Sequence, residues 1–343
     1  MEISDSDFTV TGSATLGGID DDYATGGRSG IDFDDSQLIA SGAVHFRGEV
    51  KNDFGSAGVY FDGDASPVAD RLQVEGESVT IEGKSNVSRP GFLMDGTWEL
   101  TAHDGTLSLV GKNTGSQVSS RGVELFSADI ILTGSEVTIE GSSEKFRGLY
   151  LTDSTLTSSK MTMKGSSQDD YGIELDDSSL TSSGLTLVGT SVTETGVFVD
   201  EVRQSVDGDL LIQGEGGSGE GDYGMEISDS DFTVTGSATL GGIDDDYATG
   251  GQFGIDFDDS QLIASGAVSL RGEVTDEEGL AGVYLDWDKD EVADRVRIEG
   301  SSVTVEGKSA VSAAGVWMDE KVELNATSDA LTVKGTTESE GGV

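Results

Sequence analysis

Two stretches of the sequence carry carboxylates at a spacing that could hold a hard cation. Asp286-Trp-Asp-Lys-Asp-Glu-Val-Ala-Asp294 puts Asp286, Asp288, Asp290 and Asp294 at positions 1, 3, 5 and 9 of a loop, with the Val292 carbonyl at position 7. Calcium gathers about six to eight oxygen ligands, and such alternation lets one short loop wrap the ion. A second stretch, Asp62-Gly-Asp-Ala-Ser-Pro-Val-Ala-Asp70, keeps Asp62, Asp64, Ser66 and Asp70. In both, the glycine that turns a calcium loop at its sixth position is replaced, by Glu291 or Pro67. The bidentate Glu of the twelfth position is Arg297 or Gln73. Calcium is therefore the candidate cofactor, and an acidic loop inserted at a corner of the fold is the alternative.

The spacing resembles the Asp-rich calcium loops of dockerin and thrombospondin repeats. Further acids cluster at Asp20-Asp21-Asp22 and Asp34-Asp35, recur at Asp244-Asp245-Asp246 and Asp258-Asp259, and include Asp176-Asp177. If the chain stacks on itself, such residues form a column about 4.8 Å apart. A column of like charges must be relieved by solvent, a cation or protonation.

Aromatic residues offer the second chemistry. Tyr60, Tyr150, Tyr284 and Trp317 alternate with aliphatic residues, which points them outward from a strand. Exposed rings can stack on sugars or form a contact patch, so Tyr60, Tyr284 and Trp317 are the candidate ligand contacts. Catalytic signals are poor. His45 and His103 are the only histidines, no Gly-x-Ser-x-Gly elbow or phosphate-binding loop is present, and 65 acids in 343 residues place some carboxylate pairs together by chance. With no Cys there is neither a disulfide framework nor thiol chemistry.

The elements that must position these residues are short strands. In Gly172-Ile-Glu-Leu-Asp-Asp-Ser-Ser-Leu-Thr-Ser-Ser-Gly-Leu-Thr-Leu-Val-Gly189, aliphatic residues alternate with polar ones in three segments separated by turn formers. Such a stretch cannot build its own core and must stack on copies of itself. Copies start at Gly30, Gly58, Gly91, Gly122, Gly148, Gly196, Gly224, Gly254, Gly282 and Gly315, 24 to 33 residues apart, with Met1 opening one more. Inward pairs recur in the first strand (Ile31/Phe33, Val59/Phe61, Val197/Val199) and in the third (Leu107/Leu109, Met161/Met163). The pattern predicts an all-β chain, a right-handed parallel β-helix of about 12 coils of three short strands, the hand following from crossover preference.

A longer period lies on top. Residues 225–343 align without gaps to residues 1–119, with four differences in the first fifty positions. We read one solenoid domain over 1–343, built on a 224-residue super-repeat. Because Met1 falls in mid-repeat, we expect an excerpt of a longer repeat protein. The net charge of −45 excludes nucleic acid as a partner and argues against anionic membrane surfaces. No apolar run approaches membrane-spanning length.

With Gly-aliphatic-x-aliphatic starts, Leu-Thr-x-Ser middles and aliphatic-x-aliphatic-x-Gly ends along nearly the whole chain, the sequence resembles the β-helix shafts of large bacterial exported adhesins of the filamentous haemagglutinin type, and autotransporter passenger domains. The resemblance implies a secreted or cell-surface location and partners among cell-surface or matrix molecules, polysaccharide included. It leads us to expect a structural and adhesive segment, not an enzyme; unpaired strand edges at the cut ends of the solenoid lead us to expect a monomer able to associate end to end. Two alternatives stand beside it: a carbohydrate-active β-helix enzyme (polysaccharide lyase or hydrolase), and a passive stalk stiffened by calcium.

Overall fold

A computed structural model describes residues 1–17, 24–26, 29–52, 56–63, 72–116, 120–243, 246–286, 296–310, 313–319 and 321–337. Among these there is no α-helix, and no helix long and apolar enough to cross a membrane. The chain is a parallel β-solenoid of about 11 turns. Its strands group into twelve levels, which agrees with the coil starts read from the glycines. Two compact units divide them: Met1–Gln168 with Ser178–Leu180, and Asp169–Asp177 with Thr181–Val343.

One level of the first unit shows the plan. Its strands are Ile31–Asp34, Gln37–Ala40 and Val44–Val50. Ile31, Phe33, Leu38, Ala40, Val44 and Phe46 are buried, while the residues between them face outward. Pairing with the next level is parallel and in register, as in Ile31↔Val59 and Phe33↔Phe61. The period-2 pattern thus becomes two faces, one facing the core and one facing solvent. In this unit the core is aromatic: the Phe61 ring lies 5.1 Å from Phe46, 5.8 Å from Phe92 and 4.8 Å from Trp98. Trp98 is fully buried, and its Nε1–H donates to the Asp95 carbonyl at 2.7 Å.

Where the sequence suggested three separated strands per coil, the first and second belong to one sheet in each unit. In two levels they run on as single strands, Phe92–Ala102 and Val123–Thr133. The corner between them is often a single residue in the left-handed conformation: Asp5, Asp35, Ser127, Asp153, Asp177, Glu201, Asp229, Asp259 and Lys321, with Gly96 at φ 75° serving the Phe92–Ala102 strand. Six of the nine non-glycine residues are Asp. Asp tolerates this conformation because its short side chain bonds to the local backbone. Three of the acids singled out in the sequence, Asp35, Asp177 and Asp259, are therefore there to turn the chain.

The residue after the corner is repeatedly Ser, and its hydroxyl bridges levels. Ser36 Oγ accepts from the Ser6 N–H at 3.0 Å and donates to the Asp34 carbonyl at 2.6 Å. In the same unit, Ser154 Oγ accepts from Ala128 and Ser178 Oγ from Ser154. In the second unit, Ser230 Oγ accepts from Val202 at 3.0 Å and Ser260 Oγ from Ser230 at 2.9 Å. These serines are buried, so each satisfies an amide that water could not reach.

The other corner is set by glycine. A Cβ on Gly83 would lie 1.9 Å from the Gly91 carbonyl oxygen, and one on Gly189 would lie 2.1 Å from that of Gly196. The end of each third strand thus packs backbone to backbone against the start of the following coil.

Candidate ligand-binding face

The outward positions of the first strands form columns, because the levels stack in register. In the first unit Asp34 lies beside Asp62. Tyr60, two residues earlier, donates its hydroxyl to Asp95 Oδ2 at 2.9 Å, and the Gly63 N–H donates to Asp95 Oδ1 at 3.1 Å. Burial and the Asp95 carboxylate push the Asp62 carboxyl up to about 6, with Asp34 adding to the effect. Burial, then the hydrogen bond to Asp95, raises the Tyr60 phenol far above its usual range.

The second unit carries the larger cluster. Phe198 pairs with Glu226, Glu226 with Asp256, Asp256 with Tyr284 and Tyr284 with Trp317. Burial, together with Asp200, Asp258 and Glu194, raises Glu226 to about 7. Asp256 is held well above the carboxylate range by burial and by Glu226, Asp258 and Asp286. Acids stacked in this way favour keeping protons. Rings flank them: Tyr223 stacks on Phe253 at 5.5 Å, Phe253 on Tyr284 at 4.9 Å, and Tyr284 meets Trp317 at 5.1 Å.

This geometry bears on the aromatic residues picked out in the sequence. Tyr60, Tyr284 and Trp317 all point outward. Tyr284 has a ring on either side, Phe253 and Trp317, so its edge and hydroxyl are what it offers. Tyr150 lies under the Arg121 and Arg147 guanidinium groups, 4.7 and 4.3 Å from its centroid. Trp317 is 42 % exposed and offers the open aromatic surface. It can stack on an apolar sugar face, and Tyr284 beside it can hydrogen-bond at the rim; in the first unit Tyr60 offers its own ring edge.

Of the calcium-loop residues, Asp62 and Asp286 end first strands, each in register with an acid of a neighbouring level, Asp34 and Asp258 respectively. Asp64, Ser66 and Asp70, and Asp288, Asp290, Val292 and Asp294, lie outside the described residues. Among the described residues no group of three or more acids or histidines is placed to hold a metal ion. The sequence reading overlooked Asp95, Glu226 and Asp256. Their signal was the outward position of the first strand, read down the column instead of along the chain.

The fold and this face define the class of protein: a parallel β-solenoid with an acidic, aromatic-flanked outer surface. No family model matches the chain, and no curated protein matches it.

Proposed function

We propose that this chain is a structural and adhesive shaft segment of a large bacterial secreted or surface protein, with the first-strand outer face as its contact surface. The observation that carries this reading is the recurrence of residues 1–50 as 225–274 with four changes. Repeating eight coils lengthens a shaft without changing its job, whereas a catalytic site gains little from a second copy of most of its surroundings. Partners in this reading are cell-surface or matrix molecules, with polysaccharide foremost because Trp317 presents an open ring. Calcium, held at the Asp62 and Asp286 loops, is the proposed cofactor. A charge of −45 repels acidic polymers, so acidic polysaccharides should bind only where calcium bridges the two.

One observation favours an enzymatic reading. Asp62, pushed to about 6 beside Asp95, could serve as a general acid with a neighbouring carboxylate. A single experiment separates the two. The purified chain is incubated with neutral and acidic polysaccharides, with and without calcium, and both retention and new chain ends are measured. Retention without cleavage, weakened roughly 2- to 10-fold by Trp317→Ala as expected for loss of one stacked ring, supports the adhesive shaft. New chain ends that vanish with Asp62→Asn overturn it.

A further inference from the structure

One stretch of the outer face departs from the acidic character of the rest. Residues 84–164 carry 8 of the 20 basic side chains and 9 of the 65 acidic ones, a net −1, so the remainder of the chain holds −44 of the −45. The change is visible position by position. Down the column that ends the first strands, Asp34 is in register with Asp62 and Asp176 with Asp200, whereas the levels between them put Phe126 beside Asp95 and Thr152 beside Phe126. Phe126 is 45 % exposed although levels are stacked on both sides of it. It lies outside the duplicated segments, residues 1–119 and 225–343.

Two arginines stand on the same pair of levels. Arg121 and Arg147 precede the coil starts Gly122 and Gly148, and the Gly122 N–H donates to the Arg147 carbonyl at 3.1 Å. Their guanidinium groups share two rings: Arg121 lies 5.1 Å from the Phe146 centroid and 4.7 Å from that of Tyr150, and Arg147 lies 4.8 and 4.3 Å from them. Arg121 Nη1 donates to Glu124 Oε1 at 2.8 Å, and its Nε–H is buried with no hydrogen-bond partner among the described residues. Arg121, Arg147 and Glu124 together keep a net charge of +1 on a surface that is elsewhere negative. Phe126 takes the next outward position after Glu124, about 7 Å along the strand.

We propose that Arg121, Arg147, Tyr150 and Phe126 form a binding site for a short uronic acid oligosaccharide, with the guanidinium pair taking a sugar carboxylate and Phe126 stacking on the apolar face of the ring. An arginine fork matches a carboxylate with two parallel N–H donors. The Phe146 and Tyr150 rings hold both forks in place, which lowers the ordering cost of binding. An exposed aromatic ring gives a pyranose its apolar contact. Charge limits the length of the ligand: a long acidic polymer would run on to the acid columns of the adjoining levels, whereas a short one stays on the near-neutral stretch. The site rests on the adhesive reading for the choice of a sugar, and it needs no calcium.

The test titrates the full chain, in EDTA, with the trisaccharide of galacturonic acid and with a neutral trisaccharide of glucose, following binding by ligand-observed NMR. The acidic sugar should bind, and the neutral one should bind roughly 10-fold more weakly or not at all, as expected for loss of a charged hydrogen bond. Arg147→Gln should weaken the acidic sugar roughly 10-fold and Phe126→Ser about 2- to 10-fold, while Trp317→Ala leaves it unchanged. No binding of the acidic sugar, equal binding of both sugars, or binding that survives either substitution would overturn the site. Phe126 is nearly half exposed, so Phe126→Ser should melt like the parent; if Arg147→Gln loses its cooperative melt, Phe126→Ser decides alone. Polysaccharide retention through Trp317 beside any of those negative results would leave the adhesive reading standing, so the two fail separately.

Discussion

At the scale of single residues, the outer face is a set of acids stacked closer than they would choose to be. Glu226 and Asp62 titrate near 7 and 6 because burial and neighbouring carboxylates penalise their charge. Folded-state values raised in this way make a contribution that is complete below the ordinary carboxylate range and lost as pH rises through the folded values. The thermal midpoint should therefore rise as pH falls from 8 to 5. Glu226→Gln, which removes the charge while keeping the shape, should stabilise the chain at pH 8 by about 2 kcal/mol and flatten that part of the profile. A variant whose pH profile matched the parent's would show that Glu226 is not the group responsible. The aromatic members of this face were legible from simple alternation. Its buried acids were not, since a glutamate between two aliphatic residues reads as solvated until the levels above and below it are known.

At the scale of the repeating element, two corners do different work. The serine corner satisfies buried amides. Ser230→Ala leaves the Val202 N–H without its acceptor, and should cost about 1–3 kcal/mol. The glycine corner admits no side chain: Gly189→Ala drives a Cβ into the Gly196 carbonyl and should cost roughly 2–4 kcal/mol. Denaturant melts of both variants check these values, and an unchanged midpoint for Gly189→Ala would mean that the two sheets can separate freely there. Inward pairs such as Ile31/Phe33 and coil starts such as Gly58 and Gly91 could be read in advance because period-2 burial and close approach leave residue-type signatures. The merging of first and second strands into one sheet could not. It depends on one left-handed residue at each described corner, and Asp177 in that role looks the same in sequence as Asp177 in a charged loop.

At the scale of the whole molecule, 65 acids against 20 basic residues mean that stability should track whatever screens or binds to the surface. Calcium should raise the thermal midpoint by several degrees if the Asp62 and Asp286 loops bind it, since a ligand at about 100 times its dissociation constant contributes about 2.7 kcal/mol. Magnesium at equal ionic strength is the control. Equal shifts would reduce the effect to screening and remove calcium from the proposal. The near-identity of residues 1–50 and 225–274 has a further consequence, at the level of the gene. Stretches this alike invite unequal crossing-over, and the distance between them is a whole number of coils. An exchange there would add or delete eight complete levels, leaving every strand in step with its new neighbour. Length could then vary between lineages by recombination alone, with no compensating point mutation.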